Sequence, residues 1–234
     1  NGSMNNDSIA SLYEDKSGIL WIGTYGGGVN QLDLMRKPFI HIHTTEQESN
    51  SLSDNYIWSV YEDQSGDLWI GTFLGGLNLY HRTENRFEHF SDRSNVPDAL
   101  KGNAVTSIAE DRSGNLWFGT YGGGLNRYDP RTSRFTNYLA SKSDPRSISD
   151  NLVWKLHIDR RDQLWIGTEL GGLNQFIKKS GTFVCYTHDP NNRSSISHNY
   201  VLAIQEDSSA KLWIGTYGGG LNRFDPGTGT FTHY

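Results

Sequence analysis

A carboxylate stands among aromatic rings at one recurring position of this chain: Tyr25, Phe73, Tyr121, Glu169 and Tyr217, each 48 residues after the last. The next position reads Gly26, Leu74, Gly122, Leu170 and Gly218. Aromatic rings lie flat on the apolar faces of sugars, and a carboxylate accepts hydrogen bonds from hydroxyls. Gathered at one mouth, these residues would suit an oligosaccharide or another small polar ligand. The competing reading has each ring packing on the glycine turn of a neighbouring unit.

Other residues that could do chemistry carry weaker signals. The triplets Gly26-Gly27-Gly28, Gly122-Gly123-Gly124 and Gly218-Gly219-Gly220 lack the helix start and the Lys-Ser/Thr that a phosphate loop needs, so they read as turns. His41, His89 and His233 share one repeat position with Asn137 and Cys185, on an expected outer strand where equivalents lie too far apart to share a metal. The acids Glu14-Asp15, Glu62-Asp63, Glu110-Asp111 and Glu206-Asp207 recur once per unit, as structure does; in Asp15-x-Ser17-Gly18 the Asp reads as a loop cap. An acid/base enzyme would need a histidine unique to the mouth, and His198 is the candidate. No catalytic residue, metal or cofactor is assigned on these grounds.

The elements that must position the mouth follow from the repeat. Trp21, Trp69, Trp117, Trp165 and Trp213 keep the same 48-residue step, and Leu20-Trp21-Ile22-Gly23-Thr24 returns from Leu68, Leu116, Leu164 and Leu212. A period near 50 indicates a propeller or solenoid. In the second copy, Ile57–Glu62, Leu68–Thr72, Leu77–His81 and Arg86–Phe90 read as strands separated by Asp63-Gln64-Ser65-Gly66, Gly75-Gly76 and Arg82–Asn85. The expectation is an all-β chain, a single β-propeller domain over 1–234 of five four-stranded antiparallel blades, near 1–42, 43–90, 91–138, 139–186 and 187–234. The Leu-Trp-Ile strands are apolar on both faces, as in a sheet covered on both sides, so all five tryptophans are expected to be buried. Between blades, Leu52, Leu100, Ile148 and Ile196 are expected to tuck inward, and Asn55, Asn103, Asn151 and Asn199 to satisfy loop backbone groups.

Composition narrows the partners. The formal net charge of −5, from 21 Lys+Arg against 26 Asp+Glu, argues against a nucleic-acid surface. The one cysteine, Cys185, cannot form an internal disulfide. No apolar run approaches about 18 residues, so no membrane insertion is expected in this segment.

The phrase Leu-Trp-Ile-Gly-Thr-Tyr-Gly-Gly-Gly-Leu-Asn-Arg-Phe-Asp-Pro followed by Phe-Thr-x-Tyr, nearly whole at Leu116–Tyr138 and Leu212–Tyr234, resembles the two-component regulator propeller repeat. That resemblance implies the periplasmic sensor region of a bacterial sensor or hybrid histidine kinase, often responsive to polysaccharide fragments, with the remaining sensor-kinase domains as partners. Family sensors usually carry two seven-bladed rings, a β-sandwich, a membrane helix and a kinase, and this chain has five repeats. The reading is a ligand-binding, non-enzymatic sensor propeller in signal transduction, periplasmic or extracytoplasmic, with Tyr25, Phe73, Tyr121, Glu169 and Tyr217 as the candidate site. Two alternatives stay open: a streptogramin-lyase-like propeller enzyme, and a lectin-like or structural interaction module. The five blades are expected to close as a monomeric ring, the alternative being a homo-oligomer through the apolar blade faces, Ile9 to Val29 and Val201 to Leu221.

Overall fold

Short β-branched and aromatic runs punctuated by glycine leave the backbone only antiparallel hairpins to satisfy its hydrogen bonds. The computed structural model describes residues 4–33, 39–45, 50–92, 96 and 98–234, all of whose regular elements are strands. The first blade is β1 (Ile9–Glu14), β2 (Ile19–Thr24), β3 (Gly28–Asp33) and β4 (Ile40–Ile42); the second is β5 (Ile57–Glu62), β6 (Leu68–Thr72), β7 (Leu77–His81) and β8 (Arg86–Phe90). The third is β9 (Val105–Glu110), β10 (Leu116–Thr120), β11 (Gly124–Asp129) and β12 (Arg134–Tyr138). The fourth is β13 (Val153–Ile158), β14 (Leu164–Thr168), β15 (Leu173–Ile177) and β16 (Thr182–Tyr186); the fifth is β17 (Val201–Glu206), β18 (Leu212–Thr216), β19 (Gly220–Asp225) and β20 (Thr230–His233). Each blade is one four-stranded antiparallel sheet of consecutive strands, the all-β propeller expected from the repeat. Among the described residues no helix is long and apolar enough to cross a membrane. The chain falls into two compact units, Asn1–Ile108 and Ala109–Tyr234.

Within each unit the first strands of successive blades approach one another, β1 against β5 and β13 against β17, which makes the first strand the inner edge. Glycine at the end of the second strand permits the approach. A Cβ on Gly71 would lie 2.6 Å from the Val105 carbonyl oxygen, and one on Gly167 would lie 2.6 Å from Val201 Cγ1. The inner strands also carry a bulge. Ile57 pairs with Thr72 and Ser59 with Gly71, Val153 pairs with Thr168 and Lys155 with Gly167, so Trp58 and Trp154 are the extra residues of the two bulges.

The core lies between blades. Trp21 packs with Ile57 and Leu68, Trp117 with Val153 and Phe176, and Trp165 with Val201 and Phe224, in each case residues of the blade that follows. Trp21, Trp69, Trp117 and Trp165 are buried, but Trp213 of the fifth blade is half-buried, which corrects the expectation for all five. Its ring rests on Tyr234 at 5.2 Å between centroids and on the Arg223 guanidinium. The inter-blade phrase behaves as expected: Leu52, Leu100, Ile148 and Ile196 are buried. The Oδ1 of Asn55, Asn103, Asn151 and Asn199 accepts from the backbone N–H of Thr44, Asp92, Ala140 and His188.

Candidate functional site

The five positions singled out for the mouth all follow directly on the second strand, and backbone hydrogen bonds tie them to the entry of an inner strand. In the first unit, Phe73 N–H donates to the Tyr56 carbonyl at 2.9 Å and Tyr25 forms a bridge with Tyr56. In the second, Glu169 N–H donates to the Leu152 carbonyl at 3.0 Å and Tyr217 N–H to the Tyr200 carbonyl at 2.8 Å; Tyr121 bridges Leu152. Asp150 holds this corner: its Oδ1 accepts from Leu152 N–H at 3.2 Å and its Oδ2 from Leu170 N–H at 2.8 Å.

In the first unit, Tyr25, Tyr56, Trp58, Phe73 and Leu74 line a cavity of about 520 Å³. Trp58 and Phe73 have ring centroids 4.9 Å apart. Tyr56 lies over the Gly26 turn, where a Cβ would stand 3.3 Å from its ring, so packing on a glycine turn holds for this ring while its outer face stays exposed. Tyr25 and Phe73 are both exposed, at 47% and 38%.

The second unit arranges the same positions as a run of rings. Tyr121 meets Trp154 edge-on at 5.5 Å, Trp154 meets Tyr200 at 5.8 Å, and Tyr200 meets Tyr217 at 5.3 Å. Glu169 joins this run through its carboxylate: Trp154 Nε1–H donates to Glu169 Oε2 at 3.0 Å. Burial, and after it the Glu169 carboxylate, push the Tyr200 phenol up, which keeps it a hydroxyl that can donate. Tyr121 and Tyr217 remain exposed. The result is a set of flat apolar faces with one acceptor and several hydroxyls at the edge, suited to stacking a ring and bonding its substituents.

Within each unit, then, the structure brings the expected residues together: Tyr25 with Phe73, and Tyr121 with Glu169 and Tyr217. The connecting residues Tyr56, Trp58, Trp154 and Tyr200 were missed by sequence reasoning. A signal for the tryptophans existed: five of the seven occupy the repeat position, and the remaining two, Trp58 and Trp154, share another position of the repeat. Each is the bulge residue of its inner strand, Trp58 lining the first unit's cavity and Trp154 joining the second unit's run of rings.

The other candidates are absorbed by structure. His198 Nδ1 accepts from Tyr200 N–H at 3.1 Å, standing where Asp54 and Asp150 hold the corresponding turns. His89 Nε2 lies 2.8 Å from the Ser51 carbonyl oxygen and His233 Nε2 2.7 Å from that of Ser195. The Cys185 thiol, raised by burial, lies 3.1 Å from Asn174 Oδ1.

A family model described as two component regulator propeller matches residues 3–26, 51–73, 99–122 and 195–218. Among solved structures, the chain is similar to the extracellular domain of the hybrid two component system BT3049 from B. thetaiotaomicron, at 30% identity and a TM-score of 0.83, covering 97% of this chain and 30% of that one. It is similar at 23% identity and a TM-score of 0.58 to the extracellular domain of the one component system BT4673 from the same organism, over 98% of this chain and 36% of that one. At 15% identity and a TM-score of 0.71 it also shares the fold of a catalytically inactive virginiamycin B lyase from Staphylococcus aureus, over 100% of this chain and 72% of that one. The chain thus spans about a third of the length of the two sensor domains. No curated protein matches it.

Proposed function

The chain belongs to the two-component regulator propeller family through four of its five repeats, and from that premise we propose that it senses an oligosaccharide at the inner ends of its blades. The related sensor domains are extracellular, which supports an extracytoplasmic place for this propeller, as part of a membrane-anchored sensor whose other domains are its partners. One observation carries the ligand reading: the run Tyr121, Trp154, Tyr200 and Tyr217, edged by the Glu169 carboxylate. Stacking supplies affinity for a sugar face, and Glu169 with the phenols supplies orientation. No acid/base step is needed, and His198, on which the enzymatic alternative rests, is taken up by its turn.

A glycan array followed by calorimetry tests this. The chain is expected to bind one class of oligosaccharide on the array, and Tyr121→Ala combined with Glu169→Ala is expected to abolish that binding with an unchanged circular dichroism spectrum. Unchanged affinity in the double variant, or a parent chain that binds no saccharide on the array, overturns the reading.

A further inference from the structure

The aromatic cavity of the first unit asks for a different ligand from the run of rings in the second. Tyr25, Tyr56, Trp58 and Phe73 put four rings around a space of about 520 Å³, closed by Leu74. That size lies within the range of small-molecule sites. Among the described residues the lining has no charged side chain. In the second unit the position of Phe73 belongs to Glu169, which accepts from the Trp154 indole. The first unit therefore lacks the carboxylate on which a sugar's hydroxyls would be oriented. Tyr25, Tyr56, Phe73 and Leu74 are nonetheless all exposed, an apolar patch left open to solvent.

The geometry narrows what fits. Trp58 and Phe73 lie 4.9 Å apart between centroids with their planes 36° from each other, so a flat ring cannot slide between them. Behind the wall stands a carboxylate. Asp54 Oδ1 accepts from Tyr56 N–H at 3.0 Å and its Oδ2 from Leu74 N–H at 2.9 Å, so the charge bonded to the lining is negative. An anion finds no cation in this lining, and a primary ammonium would leave its three N–H donors to two phenols. A quaternary ammonium has no N–H to satisfy, and its methyl shell is apolar. Its charge is drawn to the negative faces of aromatic rings, Trp above all, and to the carboxylate behind them. We propose that this cavity holds the trimethylammonium head of a small dissolved compound, of the kind choline carries. The saccharide reading rests on residues of the second unit, so either ligand can be absent without the other.

The test is calorimetry with choline and with 3,3-dimethylbutan-1-ol, which keeps the shape and the hydroxyl but has carbon in place of the charged nitrogen. The parent chain is compared with Trp58→Leu and Tyr56→Leu. Leucine stands at the first of these positions in the fifth repeat and at the second in the fourth, so the fold should accept both. The parent is expected to bind choline about tenfold more tightly than the neutral alcohol, the scale of a desolvated cation–π contact. Each variant is expected to lose about tenfold in choline affinity while keeping a cooperative thermal melt. Equal affinity of the parent for choline and the alcohol overturns the cation reading, and a parent that does not bind choline overturns the site. Choline affinity unchanged in both variants overturns its placement among these rings. Co-sedimentation of the chain with phosphatidylcholine vesicles would assign the head to a membrane lipid and overturn the dissolved compound.

Discussion

The indole Nε1 of Trp117 donates to Oδ2 of Asp111 at 3.0 Å, across the hairpin that joins the first two strands of the third blade. The other Asp111 oxygen accepts from the backbone N–H groups of Ser113 and Asn115, so one carboxylate closes the loop and pins the blade's central ring. The same pair recurs in Trp21 with Asp15, Trp69 with Asp63, Trp165 with Asp159 and Trp213 with Asp207, at 2.8–3.1 Å. Trp117→Ala is expected to cost about 3–5 kcal/mol by leaving a large cavity. Trp117→Phe, which keeps most of the volume but deprives Asp111 of a donor, is expected to cost about 1–3 kcal/mol. Urea titrations of the two variants give the ranking, and an unchanged midpoint in Trp117→Ala would contradict the burial of this ring.

Acid should unfold the chain through the same loops. Burial by itself raises the Asp111 carboxyl, but the hydrogen bonds from Trp117 and Asn115 and the Lys178 charge more than reverse it, holding it below the usual carboxylate value. Asp15 is likewise lowered: burial raises it, and the bonds from Trp21, Ile19 and Ser17 with the Arg82 charge outweigh that rise. A depressed carboxylate contributes stability above its unfolded pKa of about 3.9, and that contribution is lost as pH falls through the folded value. Stability is therefore expected to be flat in these groups from neutral pH to about 5 and to fall below about 4. Asp111→Asn should be less stable at pH 7 and show a shallower acid loss; a pH profile parallel to the parent's would exclude Asp111 as a contributor.

The mouth and the framework should separate experimentally. Trp154 joins Tyr121 to Tyr200 yet is only half-buried, unlike Trp117. Trp154→Ala is expected to lower the urea midpoint much less than Trp117→Ala while removing oligosaccharide binding on the array. A loss of stability equal to that of Trp117→Ala would assign Trp154 to the core instead.

Much of the fold was legible because the repeat reports each feature several times over. The strands Ile57–Glu62, Leu68–Thr72, Leu77–His81 and Arg86–Phe90 coincide with the runs between glycine and Asp turns, since only those runs alternate or bury as strands do. Trp213 was misread for a reason the repeat conceals: Trp165 packs with Val201 and Phe224, whereas the identical Trp213 has Tyr234 and Arg223 about its ring. Trp58 and Trp154 escaped because their shared position varies from blade to blade, as Ala10, Thr106 and Leu202 show. Their placement depends on a bulge that residue types alone do not announce, one residue short of strict pairing.

That bulge recurs on β1, β5, β13 and β17, always after the first residue of the inner strand. Peptides that recognise sheets by extending them need an unbroken row of free N–H and C=O groups along an edge. Here the row is interrupted at its mouthward end and the backbone there twists away. Strand addition at the inner edge is thereby disfavoured, for foreign peptides and for misfolded copies of the chain alike. Under the proposed function, recognition at this end of the blades is left to side chains, and can change by substitution at a few inner-edge positions while the hydrogen-bonded ladders behind them stay as they are.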